Sequence, residues 1–463
     1  MQQQPGPRLH RVLGKWDLVL LFVVAVTNLN IVPVAAAAGA ATLLLWVLAL
    51  VFFFLPQGIA VIEMSQRYPG EGGVYLWTKR ELGELHGFLS GWCYWTNNLF
   101  YVPTVLFYLV GISVYAFGPE ALPLADDRAY TLAVSLGLLW LMTVLNVGGL
   151  GVGKWVNNLG GIGTGIAALA LIGLGLASSH TRTASLDLHL ASVDWRLLSS
   201  FGVICFALVG LELGSVMGDE IREPRRTLPG AVLIGGLLSG GLYLGATLAV
   251  LLAVPREEIG VVQGILQAAS VMAASAKVPW IVAPLALVLT VSVAGIASAW
   301  FAGSARIPFV AGVDRYLPPA LGRLHPTHGT PHVALVAAAA LCSAVIGMSF
   351  LGASVKEAFV TLLDLAVVLQ LVPFVYLYLI LIRHASSRAP ATSFFPKWAL
   401  RAAGIAGLAT TSLGMLVAFV PSRHIESVWV FEAKILAGLA LCLGVAVLLY
   451  RRGTARAAEP SAA

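Results

Sequence analysis

Two acidic side chains lie inside long apolar stretches of the sequence, where an ionised group is costly. Glu212 follows the segment FALVGL (206–211), and Asp364 lies within the apolar run 358–382. A carboxylate that faced lipid would cost several kcal/mol, so each is expected to face a cavity, a partner or a proton. Each could instead be a structural carboxyl that neighbouring groups hydrogen-bond. We predict that Glu212 and Asp364 bind a proton or a cation.

Polar and helix-breaking residues interrupt the first apolar stretch. Thr27, Asn28, Leu29 and Asn30 stand in its middle, and Pro33 follows them. The stretch that contains the first of the two acidic residues is interrupted in a similar way. Broken backbone at membrane depth is tolerated only where it is buried in protein or lines a wet cavity. The two asparagines could alternatively serve only to hydrogen-bond neighbouring helices.

The composition fits a chain whose solvent is lipid. Of the 463 residues, 59% are hydrophobic and 11% are charged, whereas soluble domains carry about 25% charged residues. A helix needs about 20 apolar residues to cross the hydrocarbon core. Runs that meet this rule lie near 16–38, 41–64, 87–117, 129–148, 155–178, 197–218, 230–254, 279–304, 332–350, 358–382, 398–420 and 428–450. We predict an all-α membrane protein with about 12 transmembrane helices, and a short helix within the more polar loop 256–278.

The basic residues indicate how this chain is oriented. An even number of spans places both chain ends on one side of the membrane. Of the 28 Lys and Arg residues, 20 lie on that side, and the remaining eight lie on the other side or in the last span. Because cytoplasmic loops are rich in Lys and Arg, we predict a protein of the cytoplasmic (inner) membrane with both termini in the cytoplasm.

The spacing of the interruptions points to transport. The first and sixth spans are five apart, as two inverted repeats of five helices require, and paired interruptions of this kind indicate a substrate site between the repeats. We predict a secondary transporter of small nitrogen-containing solutes. The sequence shows no nucleophile–base pair, phosphate-binding glycine loop or ligand-spaced Cys/His cluster, so we expect no enzymatic activity, no cofactor and no metal. The basic residues do not gather on one face, which argues against a nucleic-acid partner.

Three regions of the sequence resemble the amino acid–polyamine–organocation (APC) superfamily. They run from Tyr68-Pro69 through Gly72-Gly73 to Gly91-Trp92, from Phe206 through Glu220 to Pro229, and from Trp300 through Arg306 to Leu317-Pro318. The resemblance extends over about residues 14–450. It implies a five-plus-five inverted repeat of the leucine-transporter type, followed by two C-terminal helices.

This fold would divide the chain into five parts. They are a cytoplasmic N-terminal segment (1–15), a first repeat of helices 1–5 (16–178), a second repeat of helices 6–10 (197–383), helices 11–12 (398–450) and a cytoplasmic tail (451–463).

The resemblance also implies roles for individual residues. In this family an aromatic gate on helix 6, a proton-responsive glutamate on helix 6 and a tryptophan of helix 8 that closes over substrate correspond to Phe206, Glu212 and Trp300. Two amides of helix 3 would face the pocket. The predicted substrate-binding set is Thr27, Asn28, Leu29, Asn30, Asn97, Asn98, Phe206, Ala207, Val209, Gly210 and Trp300, with Glu212 and Asp364 as the proton or cation-coupling pair.

Two departures from the family bear on the substrate. Amino-acid carriers usually have a glycine-rich break in helix 1 that binds a carboxylate, whereas this chain has Asn28-Leu29-Asn30. Some proton-coupled members have a lysine in helix 5, where this chain has Thr164. We expect an amino-acid permease that works by proton symport or exchange, or alternatively a polyamine or organic-cation transporter, with a transport-inactive membrane sensor as a third alternative. The expected partners are a small-molecule substrate, the lipid bilayer and a coupling proton, and the sequence leaves the solute, coupling ion, flux direction and oligomeric state open.

Overall fold

The structure, a computed structural model, describes residues 11–178, 195–253, 264–314, 316–349, 355–386, 393–419 and 428–458. Within these ranges it contains α-helices joined by short turns and 3-10 segments, and no β-strand. The first nine helices are α1 (Lys15–Val26), α2 (Ile31–Ala36), α3 (Thr42–Ala49), α4 (Leu55–Arg67), α5 (Val74–Leu82), α6 (Glu84–Ser113), α7 (Arg128–Val147), α8 (Leu150–Ala177) and α9 (Trp195–Ala207). The remaining nine are α10 (Leu213–Val216), α11 (Pro224–Ala253), α12 (Gly264–Ser275), α13 (Val282–Ser304), α14 (Arg306–Val313), α15 (His332–Ser349), α16 (Val355–Ser386), α17 (Lys397–Val417) and α18 (Val428–Ala458).

Ten helices in the described ranges are long and apolar enough to cross a membrane. They correspond to predicted spans 2–5 and 7–12. A π-helical turn, Leu50–Phe54, joins α3 and α4 into one continuous span. The multi-pass, all-α membrane fold predicted from the sequence is therefore confirmed. The predicted loop 256–278 contains the short helix α12, which is largely buried.

The first and sixth predicted spans are each broken, which explains the difference between ten and twelve. Residues 27–30 separate α1 from α2, and Thr27 ends α1 with φ −82° and ψ 75°. Neither asparagine of this break takes the left-handed conformation. Residues 208–212 separate α9 from α10, and there Gly210 has φ 142°, a region that glycine enters without steric cost. The resulting pieces are too short to cross a membrane alone.

Both ends of the described chain lie at the same end of the helix bundle, which we call the terminal face. Leu13 pairs with Ile221 in an isolated β-bridge, just before α11 begins. Tyr450, near the end of α18, stacks on Tyr316 after α14 with ring centroids 5.4 Å apart. The links that carry Ile221 and Tyr316 adjoin the buried ion pairs of this same face, described below.

The helices α8 and α13 approach so closely that only glycine fits between them. A Cβ built on Gly160 would lie 2.7 Å from the Cα of Gly295, and one built on Gly295 would lie 2.5 Å from the Cα of Gly160. Small residues allow helix backbones to approach in this way in membrane proteins. One turn further on, the hydroxyl oxygens of Thr164 and Ser292 lie 2.5 Å apart and join the same two helices.

The predicted division of the chain into repeats and terminal segments stays a prediction. Residues 1–10 of the predicted N-terminal segment and 459–463 of the predicted tail lie outside the described residues. The described part of the tail, 451–458, continues α18 as helix.

The glycine contact between α8 and α13 makes a stability prediction. G160A should lower the thermal stability of the purified protein, because its methyl group forces two backbones apart at a cost of about 1–3 kcal/mol. The matched control is G165A on the same helix, where an added Cβ meets nothing within 4 Å. The free energy of unfolding of G165A should lie within about 0.5 kcal/mol of the wild-type value or exceed it. Equal thermal stability of the two variants would contradict the packing account.

Candidate substrate and coupling site

Tyr243 of α11 joins the two helix breaks through its hydroxyl group. The oxygen lies 2.6 Å from the carbonyl oxygen of Val26 and 3.0 Å from that of Ala207, and it accepts a hydrogen bond from the backbone N of Asn28 at 2.7 Å. Trp46 stacks on the ring at 4.3 Å between centroids. Backbone groups that lose their helical partners at membrane depth need such substitutes. One side chain therefore fixes the position of one break relative to the other.

An aromatic cluster lies beside these breaks. The ring of Tyr101 meets Phe206 edge-on at 5.2 Å and Trp300 edge-on at 5.9 Å, and Tyr94 lies 6.2 Å from Trp300. Edge-on arrangements at these distances are favourable because the ring edge is positive and the ring face negative. The Tyr101 hydroxyl donates to Oδ1 of Asn28 at 2.8 Å. The cluster thus brings together the predicted gating residues of helices 6 and 8 with the first break.

Trp300 is anchored to the first broken helix. Its Nε1 donates to the carbonyl oxygen of Ala25, in the last turn of α1, at 3.1 Å. This bond ties α13 to the edge of the break.

The carboxylate of Glu212 is fully buried, and its hydrogen-bond donors are neutral groups. Gln57 Nε2 and the backbone N of Gly210 donate to Oε2 at 2.8 and 3.0 Å. The hydroxyl of Tyr94 donates to Oε1 at 3.1 Å, and Gln370 Nε2 lies 3.4 Å from the same oxygen. A carboxyl group held in this way can exchange a proton or accept a cation without first breaking a strong ion pair.

The network around this carboxylate extends to helix α6. Asn97 Nδ2 donates to Oε1 of Gln370 at 2.6 Å, and Asn98 Nδ2 donates to the carbonyl oxygen of Tyr94 at 2.9 Å. These bonds leave the side-chain oxygens of both asparagines buried and without a hydrogen bond to the described part of the protein. Both predicted amides of helix 3 are therefore next to the Glu212 network and retain accepting capacity.

Other buried polar atoms near the breaks also lack protein partners. In the described residues they include Oγ1 of Thr27, Nδ2 of Asn30, Oε1 of Gln57 and Nε1 of Trp46, whose ring stacks on Tyr243. Buried polar atoms in native proteins are nearly always hydrogen-bonded. Together with the asparagine oxygens of α6, they form a group of mostly accepting atoms that a polar ligand or ordered water would satisfy.

The structure places most of the predicted site residues at the two helix breaks or in the networks beside them. Thr27, Asn28, Leu29 and Asn30 form the first break, and Ala207, Val209 and Gly210 surround the second; all of these are buried. Asp364 is half-buried on α16, the helix that also carries Gln370 of the Glu212 network, and within the described residues no hydrogen bond joins Asp364 to that network. The grouping of Asp364 with Glu212 stays a prediction from the sequence.

Sequence reasoning missed five residues that complete this network. They are Gln57, Tyr94, Tyr101, Tyr243 and Gln370. The two glutamines carried a usable signal, because each is a polar side chain inside an apolar run and must find a partner there. The tyrosines carried no such signal in the sequence, since tyrosine in a membrane helix is as common at the membrane–water interface as in a buried site.

A buried ion-pair cluster lies at the terminal face, at one end of the bundle. Arg306, at the start of α14, donates through Nη2 to both carboxylate oxygens of Glu220, at 2.9 and 3.2 Å. Its Nε lies 3.9 Å from Oε1 of Glu71. The backbone N atoms of Val12 and Leu13 both donate to the carbonyl oxygen of Glu220, which packs the N-terminal segment over the cluster. The terminal face is closed in this conformation.

A second set of polar contacts reinforces the closure. Lys79 Nζ lies 2.7 Å from Oδ2 of Asp314, and the hydroxyl of Tyr75 donates to the same oxygen at 2.5 Å. Burial and the negative charge of Asp314 raise the pKa of the Tyr75 hydroxyl. These contacts hold α5 against the end of α14.

Known proteins resemble this chain over most of its length. A family model described as Amino acid permease matches residues 13–441. An uncharacterised transporter of Legionella pneumophila is 26% identical over 447 residues, 93% of this chain and 95% of the relative. A probable agmatine/putrescine antiporter of Lactococcus lactis is 24% identical over 298 residues, 64% of this chain and 63% of the relative. A glutamate/gamma-aminobutyrate antiporter of the same species is 24% identical over 341 residues, 71% of this chain and 67% of the relative.

The family match includes both helix breaks, the aromatic cluster and the terminal-face ion pairs. It also accords with the all-α, multi-pass architecture of the described residues. This protein belongs to the amino acid permease family of the APC superfamily, a family of membrane transporters.

Proposed function

We propose that this protein is a secondary active transporter that carries small solutes with a protonated amino group, amino acids or polyamines, by alternating access. The observation that carries the proposal is the junction of the two helix breaks, where four aromatic rings and a buried carboxylate stand together. Aromatic faces attract ammonium groups by about 0.5–2 kcal/mol, and more when water is excluded. The solute's ammonium group would lie among the rings of Tyr94, Tyr101, Phe206 and Trp300, close to Glu212.

Membership of the amino acid permease family supports an amino acid as the solute. The residues of the site are better suited to bind the ammonium group of such a solute than its carboxylate. The predicted set around the first break contains no Arg, Lys or glycine that would receive a carboxylate. Most of the unpartnered atoms nearby are oxygens, which accept hydrogen bonds from an ammonium group. This favours the second candidate, a polyamine or other organic cation, to which the resemblance to a probable agmatine/putrescine antiporter also points. For both candidates, recognition of the amine is the shared element.

Coupling would use the Glu212 carboxyl, which binds either a proton or the substrate's ammonium group. Competition between the two produces proton symport or exchange of one amine for another. The distribution of basic residues predicts that the terminal face lies in the cytoplasm, and opening of this face would expose the site on that side. In this scheme Tyr243 keeps the two broken helices together while the surrounding helices rock.

A thermal-shift screen tests recognition through the amine. A ligand that binds only the folded state raises the apparent melting temperature by mass action. We expect stabilisation of the detergent-purified protein by putrescine or agmatine, and by amino acids that keep a free amino group. N-acetylated amino acids are the matched control, because they keep the carboxylate and lose the ammonium. Stabilisation by N-acetylated amino acids alone would contradict recognition through the amine.

The role of Glu212 predicts a change in pH dependence. E212Q should make uptake into proteoliposomes insensitive to pH, because an amide does not exchange a proton in this range. The variant should fold, since the unpartnered Oε1 of Gln57 can turn to accept from the new amide. The control is D364N, which changes the other intramembrane acid. A pH dependence lost in D364N and kept in E212Q would move the coupling site to α16.

The aromatic cluster predicts a loss of affinity. W300A should weaken binding of the amine by about tenfold, which corresponds to about 1.4 kcal/mol, measured by isothermal titration or by the ligand-induced thermal shift. W300F should lose less, because an aromatic face remains while only the bond to Ala25 is broken. The control is W155A, since Trp155 is exposed on α8 and should be neutral. Equal affinity for W300A and the wild type would reduce Trp300 to a packing residue.

A further inference from the structure

The ion-pair cluster of the terminal face contains two buried carboxyl groups and one buried cation. Glu71 lies between α4 and α5, Glu220 between α10 and α11, and Arg306 at the start of α14. Their exposed fractions are 8%, 2% and 1%. None of the hydrogen bonds of the cluster involves a side chain that bonds to Glu212.

Arg306 hydrogen-bonds to only one of the two carboxyl groups, that of Glu220. Arg306 makes two hydrogen bonds to Glu220 through Nη2, and Nη1 donates to the carbonyl oxygen of Ala302. Its Nε is 3.9 Å from Oε1 of Glu71, beyond hydrogen-bond distance, and neither atom has a hydrogen-bond partner in the described residues. Glu71 accepts one recorded hydrogen bond, from the backbone N of Asp219 at 3.0 Å.

An ionised Glu71 would add a second buried negative charge beside a single positive one. Burial of a charge without its own partner costs several kcal/mol, and the usual outcome is that the group neutralises. The charged groups that act on Glu71 are Glu220 and Asp219 on the link after α10, and Arg306 on α14. Burial, and then the negative charge of Glu220, raise the pKa of Glu71 well above its ordinary value of 4.5, against the opposing effect of Arg306.

The three residues come from parts of the chain that must separate when this face opens. The loop of Glu71 pairs with the link after α10 through an isolated bridge to Met217 and a bond from the N of Gly72 to the carbonyl oxygen of Val216. The third segment of the cluster is the start of α14, which carries Arg306. Opening would bring water to all three side chains and restore ordinary solvation to Glu71.

We propose that the closed terminal face binds one proton at the Glu71 carboxyl, and that this proton passes to water when the face opens. Closing reverses the step: the carboxylate takes one proton from water as it is buried beside Glu220. The site is separate from Glu212 and needs no substrate, so it goes beyond the proposed function. Low pH therefore favours the closed terminal face. As pH rises from the ordinary pKa of the exposed group towards the higher pKa of the buried group, opening becomes easier, by up to about tenfold per pH unit for one proton.

Distances between spin labels on the terminal face test this proposal. The reporter is R80C/R226C in a C442S background, with labels on exposed positions of α5 and α11. Pulsed electron double resonance then measures the ratio of wide to narrow distances as a function of pH in the absence of substrate. The ratio should rise with pH in the reporter protein, and E71Q, which mimics the protonated carboxyl, should remove the rise. An unchanged rise in E71Q, or no rise in the reporter, would overturn the proposal.

Two further variants make the result specific. D314N breaks the neighbouring ion pair with Lys79, so it should raise the open fraction at every pH but keep the slope. E220Q frees Arg306 for Glu71, so Glu71 should stay ionised and the slope should vanish. Infrared difference spectra give an independent readout if E71Q does not fold. The spectra use an E212Q/D364N background, which removes the two other intramembrane acids that could carry a proton. The band of a protonated carboxyl should be present there at neutral pH and lost when E220Q is added; its persistence after E220Q would count against Glu71.

Discussion

The structure depends on the satisfaction of backbone groups at two helix breaks inside the membrane. A carbonyl or N–H group freed from a helix in a low-dielectric medium costs several kcal/mol if it stays unpaired. The hydroxyl group of Tyr243 lies within hydrogen-bond distance of backbone groups at both breaks. It contacts Val26 and Asn28 at the first break and Ala207 at the second. Trp46 covers the tyrosine ring. The breaks can therefore exist only as a joined pair, and everything that lines the site is placed relative to that pair.

The joined breaks also explain why the aromatic cluster and the carboxylate are neighbours. Tyr101 bonds to Asn28 of the first break and packs on Phe206 beside the second. Glu212 receives a backbone bond from Gly210, whose positive φ turns the chain at the second break. Neutral amides and a phenol complete the shell of this carboxylate. A charge that is solvated by neutral donors is held without being paired, which is the condition for reversible exchange with a proton or an ammonium group.

At the terminal face a buried carboxylate is paired with a cation, whereas the Glu212 carboxylate is bound only by neutral donors. Arg306 donates from a single nitrogen, Nη2, to both carboxylate oxygens of Glu220, and this pair is nearly inaccessible to water. Buried pairs contribute little net stability, because desolvation offsets their attraction, but they are sensitive to any change in charge or solvation. The N-terminal segment bonds to the same residue through Val12 and Leu13. Closure of this face therefore joins the start of the chain, α5 and α14 through polar contacts that must break when the face opens.

The sequence by itself determined the features that depend on local chemistry. The length of the apolar runs predicted the spans, polar residues and Pro33 predicted the first break, and Gly210 together with the acid Glu212 predicted the second. Only the tertiary structure decided which distant side chains hydrogen-bond to these groups. Gln57 and Gln370 hydrogen-bond to Glu212 across 155 and 158 positions of sequence, whereas no hydrogen bond within the described residues joins Asp364, also an intramembrane acid, to that network. The reason is physical: hydropathy reports how deep a residue lies, whereas the partner of a buried polar group depends on which helix faces rotate towards each other.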